Sequence, residues 1–144
     1  MPDLLTFIAC EKVIVDKEDE SISIYNLLQR VVLSIPDGIQ PSGIREFPLS
    51  WGILTLWRNP GEEIGIKYQQ RIELNSPSGE PFIYSETDWA FGPVEANNRI
   101  IVKLDIFPVA PEGVWRLRLF LRETEPMTSW MPIAEYPIEL GFLK

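Results

Sequence analysis

The chain has 144 residues, of which 45% are hydrophobic, and it contains no histidine. With one cysteine as well, it cannot form a Ser-His-Asp triad, a Cys-His pair, a zinc site of the usual nitrogen and sulfur ligands, or a histidine-ligated haem site. Its net charge of -8 argues against binding to nucleic acid or to an anionic membrane surface, because both favour a basic face.

One domain is expected to cover residues 1–144, because this length lies within the range of a single hydrophobic core. The lone cysteine, Cys10, excludes an internal disulfide and lies in an apolar run, so we expect a small buried side chain. The N-terminus lacks the basic start and long apolar core of a signal peptide, and no apolar run approaches the ~18 residues of a membrane span. We therefore expect a cytoplasmic protein.

Two strands joined by an acidic turn open the chain. Residues 4–15 have the apolar content of a strand, but neither alternate set is cleanly apolar, and a bulge or a change of sheet would explain this. Residues 16–20 (Asp-Lys-Glu-Asp-Glu) indicate a turn. Residues 21–35 return as a second strand, with four apolar residues in phase: Ile22, Ile24, Leu28 and Val32. We predict a β-hairpin, and one helical turn over residues 25–30 is the alternative.

A loop and a strand with two apolar faces follow. The loop, the longest of the chain, is marked by prolines and glycines: Pro36, Gly38, Pro41 and Gly43. Residues 47–57 then alternate, and their odd positions are predicted to face the core: Phe47, Leu49, Trp51, Ile53 and Trp57. Leu54 and Leu56 on the other face are apolar too, so this strand is covered on both sides, by another part of the chain or by another molecule.

Three more strands are predicted in the middle of the chain. Residues 64–74 alternate cleanly, with Gln70 as the one polar residue on the inward face. Residues 82–91 form a weaker strand, and residues 100–107 form a strong one.

The last two strands lie near the C-terminus. Residues 113–122 alternate almost perfectly and are predicted to bury four side chains: Trp115, Leu117, Leu119 and Leu121. Residues 133–140 form the final strand. Because Pro137 has no N–H to donate to a neighbouring strand, we expect this strand to lie at the edge of a sheet.

About eight strands at regular spacing, with no amphipathic helix of useful length, predict an all-β, mainly antiparallel β-sandwich. The segment Gly113-Val114-Trp115 resembles the corner before strand F of immunoglobulin-like domains, where a glycine precedes an aromatic residue by two positions. Tryptophan replaces the usual tyrosine, so we expect the hydrogen bond that the phenol makes there to be lost. The resemblance implies a single-domain immunoglobulin-like β-sandwich and no activity.

Residues 9–16 carry the pattern Ala-x-Glu-x-Val-x-x-Asp, and residues 21–27 follow it after the polar turn. This opening resembles that of a family of uncharacterised bacterial proteins, and the closing Pro137-Ile138-x-Leu140 is compatible with it. The resemblance implies a small bacterial β-sandwich. It transfers no functional residue, because no activity is attached to that family.

Two charged groups are candidate ligand sites, and each has a structural alternative. Residues 16–20 include a lysine and lack the EF-hand spacing, so a solvated turn is favoured over a calcium site. A candidate anion site is the outward arginine stripe of the 113–122 strand: Arg116, Arg118 and Arg122. We expect instead that Glu135 and Glu139 lie opposite these arginines in ion pairs of roughly 0.2 to 1 kcal/mol each.

The five tryptophans are the remaining functional candidates. Trp51 and Trp115 are assigned to the core, whereas Trp57, Trp89 and Trp130 either fill the ends of the core or lie exposed. Exposed planar rings can anchor a protein partner or stack on a sugar ring.

We therefore predict a non-catalytic protein interaction or assembly module with no cofactor, no metal and no catalytic residue. Its predicted binding surface is the outer face of the 47–57 strand and nearby aromatic rings: Leu54, Leu56, Trp57 and Trp89. The expected partner is another protein or a second copy of the chain, and nucleic acid and membranes are excluded. The alternative is a carbohydrate-binding module that uses exposed tryptophans, and an enzyme that uses carboxylates alone ranks third.

Overall fold

The computed structural model describes residues 1–34, 46–61, 64–93, 96–109 and 111–143. Over these residues the chain forms nine β-strands and no helix. In chain order they are β1 (Asp3–Val15), β2 (Ile22–Leu27), β3 (Arg30–Leu33), β4 (Glu46–Arg58), β5 (Lys67–Asn75), β6 (Pro81–Ala90), β7 (Asn97–Pro108), β8 (Gly113–Glu123) and β9 (Met131–Phe142). The loop predicted around Pro36, Gly38, Pro41 and Gly43 lies outside the described residues. None of the described residues belongs to a helix of membrane-spanning length and hydrophobicity.

The strands form two sheets. One has four strands in the order β2-β1-β4-β7, and the other has five in the order β3-β9-β8-β5-β6. Paired strands are antiparallel, except for β3 and β9, which are parallel. The predicted all-β, two-sheet architecture is confirmed, but the strand number is nine rather than about eight, because the predicted second strand is divided between the sheets.

The division occurs at Leu28 and Gln29. The N–H of Leu28 donates to the Ala9 carbonyl at 2.8 Å, which holds it against β1 in the four-stranded sheet. The next residue turns to the other sheet, since the N–H of Glu139 in β9 donates to the Gln29 carbonyl at 3.0 Å. The predicted hairpin is confirmed as β1 and β2, and the alternative helical turn is wrong.

Two members of the apolar set predicted to be in phase over residues 21–35, Ile24 and Val32, are exposed, and so is Ile64, which was predicted to point inward. Ile24 and Val32 lie on either side of the crossing between sheets, which breaks the single alternating phase predicted for residues 21–35. Ile64 precedes β5, so the alternation that buries Tyr68 starts later than predicted.

The strand predicted most clearly, β8, lies inside the five-stranded sheet between β9 and β5. Its four predicted core residues, among them Trp115, are all buried. The indole N–H of Trp115 donates to the Pro111 carbonyl at 3.0 Å. The predicted loss of the corner hydrogen bond is therefore wrong, because the indole makes a bond to a carbonyl four residues upstream in place of the phenol.

The predicted edge position of the last strand is wrong, because β9 lies between β8 and β3. However, β3 pairs only with residues from Glu139 onward. The N–H of Glu139 points toward β3, and the nitrogen of Pro137, two residues earlier, points to the same side before β3 begins. Proline is tolerated there because, among the described strands, none lies beside Pro137 on that side to accept an N–H.

The far half of the β1–β2 hairpin separates from the rest of the four-stranded sheet. β4 pairs with β1 as far as Cys10, which lies opposite Gly52 in β4 and Leu27 in β2, and residues 12–15 pair with β2 alone. At this point Asn26 has φ of 52°, and its side-chain amide donates to Glu11 Oε2 at 3.0 Å. Because Asn26 lies in the left-handed region, the strand changes direction there, as at a β-bulge.

Beyond Glu11 the hairpin lies over the outward face of β4 and β7. A methyl carbon of Val13 is 3.8 Å from the position that a Cβ would occupy on Gly52. On the far side, Arg99 Nη1 in β7 donates to the Glu20 carbonyl of the hairpin turn at 2.6 Å. The chain thus covers part of the outer side of β4 with its own N-terminal hairpin.

Candidate functional site

The residues predicted to bind a partner do not lie on an open surface. Trp57, Leu54 and Trp89 are 0%, 2% and 8% exposed, and Leu56 is half-buried. The predicted binding surface assumed that these side chains are exposed, and this assumption is wrong. The outer face of β4 was predicted to be covered by another part of the chain or by another molecule. Leu54 is buried within the single chain, so another part of the chain covers it.

Trp57 and Trp89 belong to an aromatic stack at one end of the core. Trp89 stacks on Trp57 with ring centroids 5.5 Å apart and on Tyr68 at 4.8 Å, and Phe91 meets its edge at 5.1 Å. Such pairs add ~0.5–1.5 kcal/mol each beyond the area that they bury. Both tryptophans are thus core residues that join the two sheets.

Gln70, the polar exception on the inward face of β5, lies in a buried hydrogen-bond chain. Its Oε1 accepts the indole N–H of Trp57 at 2.9 Å, and its Nε2 donates to Thr55 Oγ1 at 3.1 Å. Gln70 and Thr55 are buried, and the two bonds link β5 in one sheet to β4 in the other. This group satisfies polar atoms within the core and presents none of them to solvent.

The outward face of the five-stranded sheet carries an open row of rings and guanidinium groups. We call it the arginine–tryptophan cluster: Arg71, Tyr84, Arg122 and Trp130. The guanidinium carbon of Arg122 lies 4.1 Å from the ring centroid of Trp130. That of Arg71 lies 6.0 Å from the same ring and 5.0 Å from the ring of Tyr84, so the four side chains form a continuous row.

Strand register brings these side chains together and polar neighbours hold them. Gln69 in β5 lies opposite Arg122 in β8, and its Oε1 accepts bonds from Nε and Nη2 of that arginine at 2.8 and 2.6 Å. Arg71 Nη2 lies 3.0 Å from Oε1 of Glu73 on the same strand. Tyr84 in β6 is opposite Glu73. Both guanidinium groups are therefore held in place by neighbours within the chain.

The cluster is accessible and its donors are only partly used. Tyr84 is 62% exposed, while Trp130 is half-buried under Arg122. Arg71 Nε is inaccessible to solvent and has no hydrogen-bond partner among the described residues. Cation–π contacts contribute ~0.5–1 kcal/mol at exposed sites and ~2 or more when desolvated. The contacts of this partly exposed row therefore lie toward the weaker end of that range.

An open groove of about 570 Å³ adjoins the cluster at the end of β5. The residues that line it include Lys67, Gln69, Asp88, Trp89, Glu125 and Met127. Lys67 Nζ and Glu125 Oε1 form an ion pair of 3.1 Å at its rim. Because Gln69 belongs to the groove wall and also binds Arg122, the groove and the cluster form one continuous surface.

The remaining arginines of the β8 stripe are paired as structural ion pairs. Glu135 Oε1 lies 3.1 Å from Arg118, and Oε2 lies 4.0 Å from Arg116, which confirms the predicted pairing for this glutamate. For Glu139 the prediction is wrong, because its carboxylate lies 3.5 Å from Arg30 of β3. These exposed pairs occupy two of the three arginines of the candidate anion site, and the third, Arg122, binds Gln69.

In the acidic turn, residues 16–20, carboxylates bind the backbone of the turn itself. Asp16 Oδ1 accepts the N–H of Glu18 at 2.8 Å, and Asp19 Oδ1 accepts that of Ser21 at 2.9 Å. The bond from Ser21 lowers the pKa of the Asp19 carboxyl. No group of three or more histidine, cysteine, aspartate or glutamate side chains is arranged for a metal ion in the described part of the chain.

Cys10 lies fully buried where the hairpin bends, and its thiol faces the Gly52 carbonyl at 3.7 Å. Burial raises the pKa of the thiol, so it stays protonated and weakly nucleophilic at neutral pH. The predicted role as a small buried side chain is confirmed.

The sequence indicates some residues of this surface but does not show that they lie together. It placed Arg122 on the outward face of β8 and left Trp130 unassigned, and it did not single out Tyr84. The alternation of β5 shows that Arg71 points outward, but only the register between β5, β6 and β8 shows which rings lie beside it.

No protein-family model matches the chain, and no curated protein matches its sequence. The resemblance of residues 9–16 to the uncharacterised bacterial family stays a prediction, as does the cytoplasmic location.

Proposed function

We propose that the chain is an immunoglobulin-like β-sandwich that works as a non-catalytic protein interaction module. The strand order supports the fold assignment: β9-β8-β5-β6 corresponds to strands G-F-C-C′ of that fold, and β1-β4-β7 to strands A-B-E. The indole bond from Trp115 to the Pro111 carbonyl lies at the start of β8, where the corner before strand F belongs.

The observation that carries the interaction role is the arginine–tryptophan cluster. Tryptophan, tyrosine and arginine are the residue types that dominate the binding energy of protein interfaces, and they do so near the centre of the contact. Here they form one row from β5, β6, β8 and the residue before β9, with Tyr84 open to solvent and the guanidinium of Arg122 fixed by Gln69. Fixed side chains lose little conformational freedom on binding, which favours affinity.

The partner we propose is a protein surface that offers hydrogen-bond acceptors and a flat apolar area. Acceptors suit the remaining N–H groups of Arg71 and Arg122, and a flat area suits the rings of Tyr84 and Trp130. The adjoining groove beside Gln69 is wide and open. Sites for small molecules enclose most of their ligand, so this groove suits a side chain of the partner protein better than a small substrate.

The carbohydrate-binding alternative loses its main support. It required exposed coplanar tryptophans, but four of the five are buried: Trp51, Trp57, Trp89 and Trp115. The fifth, Trp130, has one face occupied by Arg122 at 4.1 Å. No pair of exposed tryptophan rings is left to stack on a glycan.

The test is affinity capture from native cells with wild-type chain and two cluster variants, Tyr84→Ala and Trp130→Ala. Removing a central interface residue costs about 2 kcal/mol or more, which is about a thirtyfold loss of affinity, so both variants should lose the captured protein. Leu5→Ala is the matched control, because Leu5 is 48% exposed and lies on β1 in the other sheet, away from the residues that pair with β2. Retention of the same protein by both cluster variants, or its loss with Leu5→Ala alone, would contradict the proposal.

A further inference from the structure

Sheet edges expose unpaired backbone groups, and proteins protect them with short strands, charges or prolines. Three of the four edges in the described sheets show such protection. β3 has four residues. β6 begins at Pro81 and carries Glu86 and Asp88. β7 carries Arg99, Lys103 and Asp105 and ends at Pro108.

The fourth edge, β2, has neither a charge nor a proline, and its one irregular residue is Asn26 with φ of 52°, so residues 22–25 form the regular part of the edge. Its sequence, Ile-Ser-Ile-Tyr-Asn-Leu, has no charge, no proline and no glycine. Ile24, Tyr25 and Leu27 are 41%, 50% and 50% exposed, and β2 pairs only with β1 among the described strands. Ile14 and Val15 of β1, beside it, are exposed as well. This edge combines free backbone groups with apolar side chains.

A second copy of the same chain suits this edge for an electrostatic reason. When two copies of a strand pair antiparallel about a two-fold axis, one residue lies opposite its own copy and its neighbours lie close to theirs. Any charge at the centre of such a pair meets a like charge, which destabilises the contact. In a chain of net charge -8, β2 is a strand in which this repulsion does not arise.

We propose that two copies of the chain pair through β2, antiparallel and about a two-fold axis, so that the two β1–β2 hairpins become one four-stranded ribbon. The backbone groups of each β2 edge bond to those of the other copy, and Ile24 and Tyr25 pack across the axis. This contact lies on the other sheet from the arginine–tryptophan cluster. It therefore goes beyond the proposed function, and the dimer keeps two copies of the cluster free for partners.

Light scattering on the purified full chain, over a range of protein and salt concentrations, tests the dimer. We expect the mass to rise from monomer to dimer with protein concentration. Added salt should favour the dimer, because it screens the repulsion between two chains of charge -8. A dimer held by ion pairs would weaken with salt instead.

Charge-swap variants locate the contact. Ile24→Lys and Ile24→Glu should each raise the dimer dissociation constant at least tenfold, and an equimolar mixture of the two should recover dimer as a mixed species. Val114→Lys is the matched control, because Val114 is 39% exposed, close to the 41% of Ile24, and lies on β8. This control should dimerise like the wild type.

Circular dichroism checks that each variant is folded, and Tyr25→Lys with Tyr25→Glu replaces any Ile24 variant that is not. A wild-type chain that stays monomeric at the highest attainable concentration would overturn the proposal. So would single Ile24 variants that dimerise like the wild type, or a mixture that fails to recover the dimer. None of these outcomes depends on binding at the arginine–tryptophan cluster, so failure here leaves the proposed function standing.

Discussion

Replacing Gln70 by leucine removes the centre of the buried chain that joins the two sheets. Leucine fills a similar space but leaves the indole N–H of Trp57 and the hydroxyl of Thr55 without the partners they now have at 2.9 and 3.1 Å. A buried polar group left unsatisfied costs ~1–3 kcal/mol, so two of them should lower the free energy of unfolding by about 4 kcal/mol. That is a large part of the ~5–15 kcal/mol typical of a domain.

Equilibrium unfolding in urea, followed by tryptophan fluorescence, measures this loss. The double variant Gln70→Leu/Thr55→Val is measured beside it, because the second substitution removes the hydroxyl that has lost its hydrogen-bond partner. The double variant should be about 1 kcal/mol or more stable than Gln70→Leu alone, because only the indole of Trp57 then lacks a partner. If Gln70→Leu unfolds within about 0.5 kcal/mol of wild type, or if the second substitution adds to the loss, the reasoning is refuted.

Two further predictions concern Cys10 and Gly113. Because Cys10 is fully buried and its pKa is raised, a thiol reagent should modify the native chain far more slowly than the urea-unfolded chain, and equal rates would contradict its burial. Gly113 has φ of 133°, and a Cβ there would lie 3.0 Å from Pro77, so Gly113→Ala should cost ~1–3 kcal/mol in the same urea assay. An unchanged urea midpoint would show that the backbone at Gly113 accepts a side chain without strain.

The sequence predicted individual strands well because alternation is a local property. In β8 the inward position of Trp115 follows from its neighbours alone, and the structure agrees. Gln70 was also placed correctly on the inward face of β5. Its partners Trp57 and Thr55 belong to β4 in the other sheet, so the reason that a polar residue is tolerated there depends on how the sheets pack.

The N-terminal region shows where local patterns stop being sufficient. The irregular alternation of residues 4–15 has two causes, a bulge at Leu5, which confirms the predicted one, and the bend at Glu11 and Asn26, which places Val13 over Gly52. That contact joins residues far apart in the chain. The apolar outer face of β4, around Leu54, correctly predicted that this face is covered. It did not show that the N-terminal hairpin covers part of it.

The candidate site could be predicted only in fragments for the same reason. Arg71, Tyr84 and Trp130 come from three separate regions of the sequence, and each alone is compatible with an ordinary surface residue. The count of five tryptophans suggested exposed rings, yet the stack of Trp57 on Trp89 at 5.5 Å shows that the core accommodates most of them. Exposure of a ring depends on the packing of both sheets.

Hydroxyl-radical footprinting of the chain, alone and in the complex captured from native cells, tests the interaction surface most directly. The account predicts that oxidation of Tyr84 and Trp130 falls in the complex, because both rings lie in the row that the partner covers. Tyr25, on the other sheet, should lose no more reactivity than dimerisation of the chain alone produces. Unchanged oxidation of Tyr84 and Trp130 in a complex that protects other parts of the chain would contradict the account.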